Sequence, residues 1–216
     1  GKYNPNEFAL STAYSRKLSN NFSTAISLRY IYSNLSGGAY VETQRTKAGK
    51  SVAGDVSAYY TNDIRLGNQD VDWSMGLNIS NIGSKISYTE TATKDFIPTN
   101  MRFGTAFTTA IDKYNTVSFE ADINKLLVPT PPGYNDDDEI IAGMNPDVSV
   151  MSGISQSFWD APGGVKEEFR EIIYSFGAEY WYDEQFAVRT GYFHEAPTKG
   201  DRQFFTLGAG IRYNVF

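Results

Sequence analysis

The feature that most constrains the fold of this chain is the spacing of its connections. Segments in which apolar and polar residues alternate are separated by short gaps at 17–21, 61–70, 111–115 and 182–185, and by longer ones at 33–52, 81–99, 127–168 and 195–203. Short and long take strict turns along the chain. Strands running up and down through a bilayer produce this pattern, because tight turns collect on one side and long loops on the other. A soluble sandwich has no reason to sort its connections by parity. The expectation is a single all-β domain over 1–216, an antiparallel transmembrane β-barrel of the outer-membrane type. Its long extracellular loops would be 33–52, 81–99 and 127–168.

The alternation predicts nine strands, at about 8–16, 22–32, 52–60, 71–80, 100–110, 116–126, 170–181, 186–194 and 204–215. Most match the ~9–11 residues with which a tilted strand crosses a bilayer. Successive side chains point to opposite faces, so parity assigns each residue a side. In 71–80 one side carries Val71, Trp73, Met75, Leu77 and Ile79, and the other Asp72, Ser74, Gly76, Asn78 and Ser80. Phe22, Ile26, Leu28, Tyr30 and Tyr32 form the apolar set of 22–32, and Phe205, Leu207, Ala209, Ile211, Tyr213 and Val215 that of 204–215. Arg29, Asp55, Asp72, Arg102, Glu120, Asp122, Glu179, Arg189 and Arg212 all take the opposite parity, and no mid-strand charge is expected on the apolar face. A Lys or Arg on a lipid face would cost about 2–4 kcal/mol at the midplane. Parity alone does not separate a barrel from a sandwich. The loop alternation favours the barrel, as do aromatics near strand ends and glycines among the charges. Nine is an odd count, whereas single-chain bacterial barrels have even ones. With an abrupt start at Gly1 and a last strand running to Phe216, the expectation is the later part of a longer chain, an incomplete barrel.

Composition narrows the function. Mean hydropathy is −0.39, and no apolar run approaches the ~20 residues of a spanning helix. There are no cysteines, hence no disulfide framework and no thiolate metal site. The net charge of −6 is concentrated in 127–168, with eight acids against Lys166, and no basic stripe suits a nucleic acid. The inward charges Arg29, Asp72, Arg102, Glu120, Asp122, Glu179, Arg189 and Arg212 read as a lumen network satisfying buried groups, too balanced in sign for strong ion selectivity. His194 is the only histidine, and its parity turns it outward, so a Ser-His-Asp hydrolase is not expected. Asp136-Asp137-Asp138-Glu139 lacks the spacing and glycine of a calcium loop and reads as a solvated tip. No cofactor is called for, and the chain is not expected to be an enzyme. The long loops carry apolar groups that a solvated loop does not hold freely, among them Tyr40, Phe96, Ile140, Ile141, Phe158 and Trp159. They either fold back as a cap or meet a partner.

Several blocks carry a resemblance. Asn124-Lys125-Leu126-Leu127-Val128-Pro129-Thr130-Pro131-Pro132 follows Phe119-Glu120-Ala121-Asp122, and Asp160-Ala161-Pro162-Gly163-Gly164 precedes Glu167-Glu168. Gly177-Ala178-Glu179-Tyr180-Trp181-Tyr182 leads into Phe186-Ala187-Val188-Arg189-Thr190-Gly191-Tyr192, and Lys199-Gly200-Asp201-Arg202-Gln203 precedes Thr206-Leu207-Gly208. Asn78-Ile79-Ser80-Asn81-Ile82-Gly83 with Ile86-Ser87-Tyr88 adds another. Together, from about residue 71 to 216, they resemble the PorV (LptO) family, outer-membrane barrels of the Bacteroidota type IX secretion system. The resemblance implies a FadL-like barrel of fourteen strands in the outer membrane of a Gram-negative cell. It implies binding of the C-terminal domains of secreted cargo leaving the translocon, and their transfer to the surface attachment complex. The implied partners are those secretion proteins, the cargo and outer-membrane lipid. The alternative is a FadL-like transporter of hydrophobic small molecules, which needs an apolar lumen pocket.

Overall fold

The structure, a computed structural model, describes residues 5–35, 40–41, 44–89 and 94–213. Its elements in chain order are β1 (Asn6–Lys17), β2 (Phe22–Asn34), β3 (Tyr40–Val41), β4 (Gln44–Arg45), β5 (Gly49–Leu66), β6 (Gln69–Gly83), β7 (Asn100–Ala110) and β8 (Asn115–Leu126). Then come β9 (Gly133–Tyr134), β10 (Ile140–Ala142), α1 (Val150–Gln156), α2 (Val165–Arg170), β11 (Ile173–Tyr182), β12 (Phe186–His194) and β13 (Gln203–Ile211). Nine strands form one sheet in the order β1-β2-β5-β6-β7-β8-β11-β12-β13, every pair antiparallel. This all-β meander is the architecture the alternation predicts. The two-residue and three-residue strands make separate small hairpins, β3 with β4 and β9 with β10.

Two strands run longer than the sequence suggests. β5 has 18 residues and β6 has 15, paired down to Leu66↔Gln69 around Gly67 at φ 62°. Polar residues such as Asn62, Asp63 and Arg65 hide this extension from a reading based on apolar alternation, because backbone pairing alone carries it. A bulge lies between Gly54 and Val56, opposite Asn81 at φ 59°. β13 stops at Ile211, short of the expected 215, and Phe216 lies outside the described residues.

Register turns parity into cross-strand rows. Leu77, Phe103, Ile123 and Tyr174 stand opposite one another on one face. The neighbouring row, Gly76, Gly104, Asp122 and Ser175, lies on the other. Among the described residues no second sheet covers the apolar face: Val71 near its edge is buried, but Leu28 is 57%, Phe119 59%, Phe176 53% and Leu207 87% exposed. Trp73 is half-buried between the rings of Tyr60 and Phe107. A sandwich would bury this face against a second sheet. The largest fully buried side chains are instead Leu127, Thr99, Asp160 and Ser157, all in connections. Among the described residues, β1 and β13 each pair on one side only, so the sheet is open at both ends.

The meander places the short turns at one end and, among the described residues, the connections that follow β2, β6, β8 and β12 at the other. The small hairpins and both helices belong to this second end.

Candidate functional site

The polar face holds its charges in separate groups rather than one network. Arg29 donates to Asp55 at 3.1 Å, to Asn81 Oδ1 at 2.5 Å and to Ser11 at 3.1 Å. Asp55 also accepts from Ser27 at 2.5 Å and from the Asn81 amide at 2.8 Å, which fixes the bulge. A second group joins Glu179 to Arg189 and to the Trp181 indole, with the Arg189 and Arg212 guanidinium groups over the Trp181 ring at 5.5 and 4.7 Å. Arg212 does not sit inside a strand as expected. It lies just past β13, where its amide donates to Gln185 O at the short-turn end. Asp72 stands opposite Asp63 and is exposed.

Between these groups Arg102, Glu120 and Asp122 line an open cleft of about 370 Å3 with Ser57, Asn78 and Gly76. They form no ion pair among the described residues. Glycine makes the space: a Cβ on Gly104 would overlap the Asp122 carboxylate, whereas one on Gly76 would meet nothing within 4 Å. The glycines therefore do two jobs, admitting charged side chains at some positions and leaving a hollow at others.

At the long-connection end the loops form one assembly. Segment 127–172 crosses toward the apolar side of the sheet, and Lys125 explains how it is held. Lys125 shares the parity of Phe119, Ala121 and Ile123, one residue from the end of β8. The expectation of an uncharged apolar face concerns mid-strand positions only, and Lys125 lies at the rim of that face. Its side chain is only 5% exposed, and its Nζ lies 3.0 Å from Glu168 and 2.8 Å from Glu171. Glu171 also accepts from Thr130 at 2.8 Å and from Lys199 at 2.9 Å, and Lys199 reaches Glu167 at 2.6 Å. Glu167 and Glu168 in turn accept from the amides of Gly163 and Ala161, which ties the chain entering α2 back onto the helix. A chain of alternating charges thus ties β8, α2 and the β12–β13 connection together.

Burial pushes the Glu171 carboxyl up, but hydrogen bonds from Lys125, Lys199 and Thr130 outweigh it and hold it below the usual carboxylate value. The hydrogen bond from Lys199, followed by that from the Gly163 amide, lowers Glu167. Burial pulls Lys199 down, yet its two carboxylate partners leave it raised. Asp160, fully buried, accepts from the Thr130 amide at 3.1 Å, and burial raises its pKa. Its Oδ1 has no partner among the described residues.

The loop residues singled out from sequence divide. Tyr40 (71% exposed), Ile140 (40%), Ile141 (68%), Phe158 (43%) and Trp159 (60%) stand free on the surface. Met151, Val165 and Phe169 join them. Phe158 and Trp159 line a cleft of about 340 Å3 with Lys125, Val165, Phe169 and Ile172. Phe96 is different: it is half-buried under Lys85 Nζ, 4.4 Å from the ring centroid, and close against Gly153 of α1. Ile97 is buried. The apolar loop residues thus supply both a cap's interior and an exposed surface.

His194 lies in the apolar row with Tyr174, its ring 6.4 Å from Tyr174 and 6.3 Å from Tyr192, and no nucleophile or carboxylate among the described residues is bonded to it. Asp136–Glu139 forms the tip of the β9–β10 hairpin, where Asn135 Oδ1 accepts from the amides of Asp137 and Glu139. No group of ligating side chains among the described residues is placed to hold a metal.

Sequence reasoning missed Lys125, Glu171 and Lys199 as a unit, because the partners lie 28 to 46 residues apart. The legible signal was Lys125 itself, a charge on an apolar parity.

An antiparallel nine-stranded meander with an uncovered apolar face, a charged opposite face and one elaborated end defines a barrel-type all-β protein. Comparison with family models gives the particular family. Residues 2–133 match the type IX secretion system protein PorV, more than half of the chain, and the chain belongs to that family. The blocks beyond residue 133 that carry the resemblance lie outside the matched span. No curated protein matches the chain. Membership assigns it a role in type IX secretion and no known catalytic activity.

Proposed function

We propose that this chain is the wall of an outer-membrane barrel of the Bacteroidota type and that its loop assembly receives secreted cargo. It binds cargo C-terminal domains leaving the translocon and passes them to the surface attachment complex, without catalysis. The observation that carries this reading is an apolar surface set on a rigid base. Ile140, Ile141, Phe158 and Trp159 are exposed, while the ion pairs of Lys125 and Lys199 fix the segment that bears them. Aromatic and aliphatic anchors held in advance cost little ordering entropy on binding, and such anchors dominate protein interfaces. The acidic hairpin tip beside them orients a partner by charge.

The bare apolar face supports insertion in lipid, since a water-soluble protein rarely exposes a continuous apolar surface of this kind. The free sides of β1 and β13 support a larger closed barrel, of the fourteen-stranded FadL-like kind, because closure removes edges. The test is deletion of 133–160 in the full-length protein, after confirming membrane insertion. Loss of cargo capture with insertion intact is the expected result. Unchanged capture and secretion would remove this loop from the mechanism.

A further inference from the structure

A second site lies on the apolar side of the sheet, at the rim where β2 and β5 leave their aromatic band. Tyr32 and Lys50 stand opposite each other in register, on the face that carries Leu28, Tyr30 and Val52. The segment after β6 continues alongside β5: the Ser84 amide donates to Val52 O, and the Lys47 amide to Tyr88 O. Ile86 and Tyr88 turn toward Gly49 on the opposite side. Lys85 and Ser87, alternating with them, face the same way as Lys50. Lys47 and Lys94 complete a cleft of about 470 Å3 lined by Tyr32, Lys47, Lys50, Lys85, Ser87 and Lys94.

Four lysines thus line one cleft, and no carboxylate lines it among the described residues. Lys85 is engaged, 3.3 Å from Asp147 and over the Phe96 ring. Lys47, Lys50 and Lys94 are exposed and have no ion pair among the described residues. Repulsion among three cations lining one cleft is relieved by an anion with several oxygens, and Tyr32 adds a hydroxyl donor, whereas the Ser87 hydroxyl already donates to Thr89 O.

Height on the sheet selects the source of that anion. Directly beside the lysines lies an aromatic cluster, with Phe8 stacked on Tyr32 at 5.2 Å and tilted to Tyr30 at 6.1 Å. Aromatic side chains mark the membrane–water interface, and basic side chains just beyond them meet lipid phosphates. We propose that the cleft of Lys47, Lys50 and Lys94 binds the phosphate of a lipid headgroup, holding one phospholipid or glycolipid phosphate at the barrel's outer rim. The inference rests on the membrane reading above.

The experiment uses the full-length protein in phosphatidylcholine vesicles with and without phosphatidic acid as the phosphate-bearing probe. After gentle detergent extraction, retained lipid is counted by native mass spectrometry. The wild type is expected to retain phosphatidic acid over phosphatidylcholine. The K47Q/K50Q/K94Q variant is expected to lose about tenfold or more of that preference, and K47R/K50R/K94R to keep it. Equal retention by the wild type and the Gln variant overturns the site. Displacement by inorganic phosphate at the lipid's own concentration shows a free-anion site and overturns the lipid assignment. Failure of the wild type to insert in either vesicle overturns the membrane reading itself, a result distinct from insertion without preference.

Discussion

Lys125 shows how one misplaced charge organises a loop. An ammonium group on an apolar rim, 5% exposed, is tolerable only because Glu168 and Glu171 meet it at 3.0 and 2.8 Å. Breaking such a pair from one side leaves the other charges uncompensated, which costs about 3–5 kcal/mol. Lys125→Met is therefore expected to destabilise α2 and its flanks by about that amount. Hydrogen exchange over 161–171 should rise sharply while the strands keep their protection. Unchanged protection would mean that the pairs hold nothing. The same network sets a pH window. Glu167 and Glu171 titrate below their ordinary 4.5, so their stabilisation is complete above that value and is lost as pH falls through the lower, folded-state values. Lys199 titrates above its ordinary 10.5, so its contribution is complete below that value and is lost as pH rises through the raised one. The contribution of Glu167, Glu171 and Lys199 to α2 protection should stay flat from about pH 5 to 10 and be lost only as pH passes through their shifted values beyond that range. A loop that loosened steadily between pH 6 and 8 would contradict this assignment.

Strands and helices differ in how far the sequence foretells them. The alternation of Val71, Trp73, Met75, Leu77 and Ile79 with polar neighbours marks β6 because lipid or solvent faces each side uniformly along the strand. The ladder Leu77↔Phe103↔Ile123 then follows from matching apolar rows. α1 and α2, of 7 and 6 residues, carry no such signal. Val150–Gln156 contains two serines and a glycine, all poor helix formers, and exists because Ser149 Oγ caps it at 3.2 Å and Gly153 admits Phe96. The polar cleft was half legible: Arg102, Glu120 and Asp122 share a face by parity, but the hollow depends on which glycines lie empty. The faces themselves make a matched pair of predictions. Leu77→Arg should destabilise the inserted barrel by about 2–4 kcal/mol, whereas Asn78→Arg, one residue along and facing the cleft, should cost under about 1 kcal/mol. Urea unfolding in lipid vesicles reads both, and equal costs would erase the distinction between the faces.

At the scale of the molecule, the chain is a sheet whose stability does not come from a packed interior. Its largest buried side chains lie in the loops, and its apolar rows are bare. Such a surface suits the lipid setting proposed for it, and the family assignment gives the chain a role in type IX secretion. Both elaborated features, the buttressed apolar loop surface and the lysine cleft, sit at the same end, so cargo contact and lipid contact would be made side by side. One face of the sheet is expected to meet lipid and the other water. The chain contains no cysteine of its own, so cysteines placed in it compete with none inside these 216 residues. Cysteines placed at Leu77, Asn78, Phe176 and Gly177 of the full-length protein in vesicles should be labelled by a membrane-impermeant maleimide in alternation. Positions 78 and 177 should react, and 77 and 176 should react only with a lipid-soluble reagent. Uniform labelling of all four by the impermeant reagent, or the inverse alternation, would contradict the account.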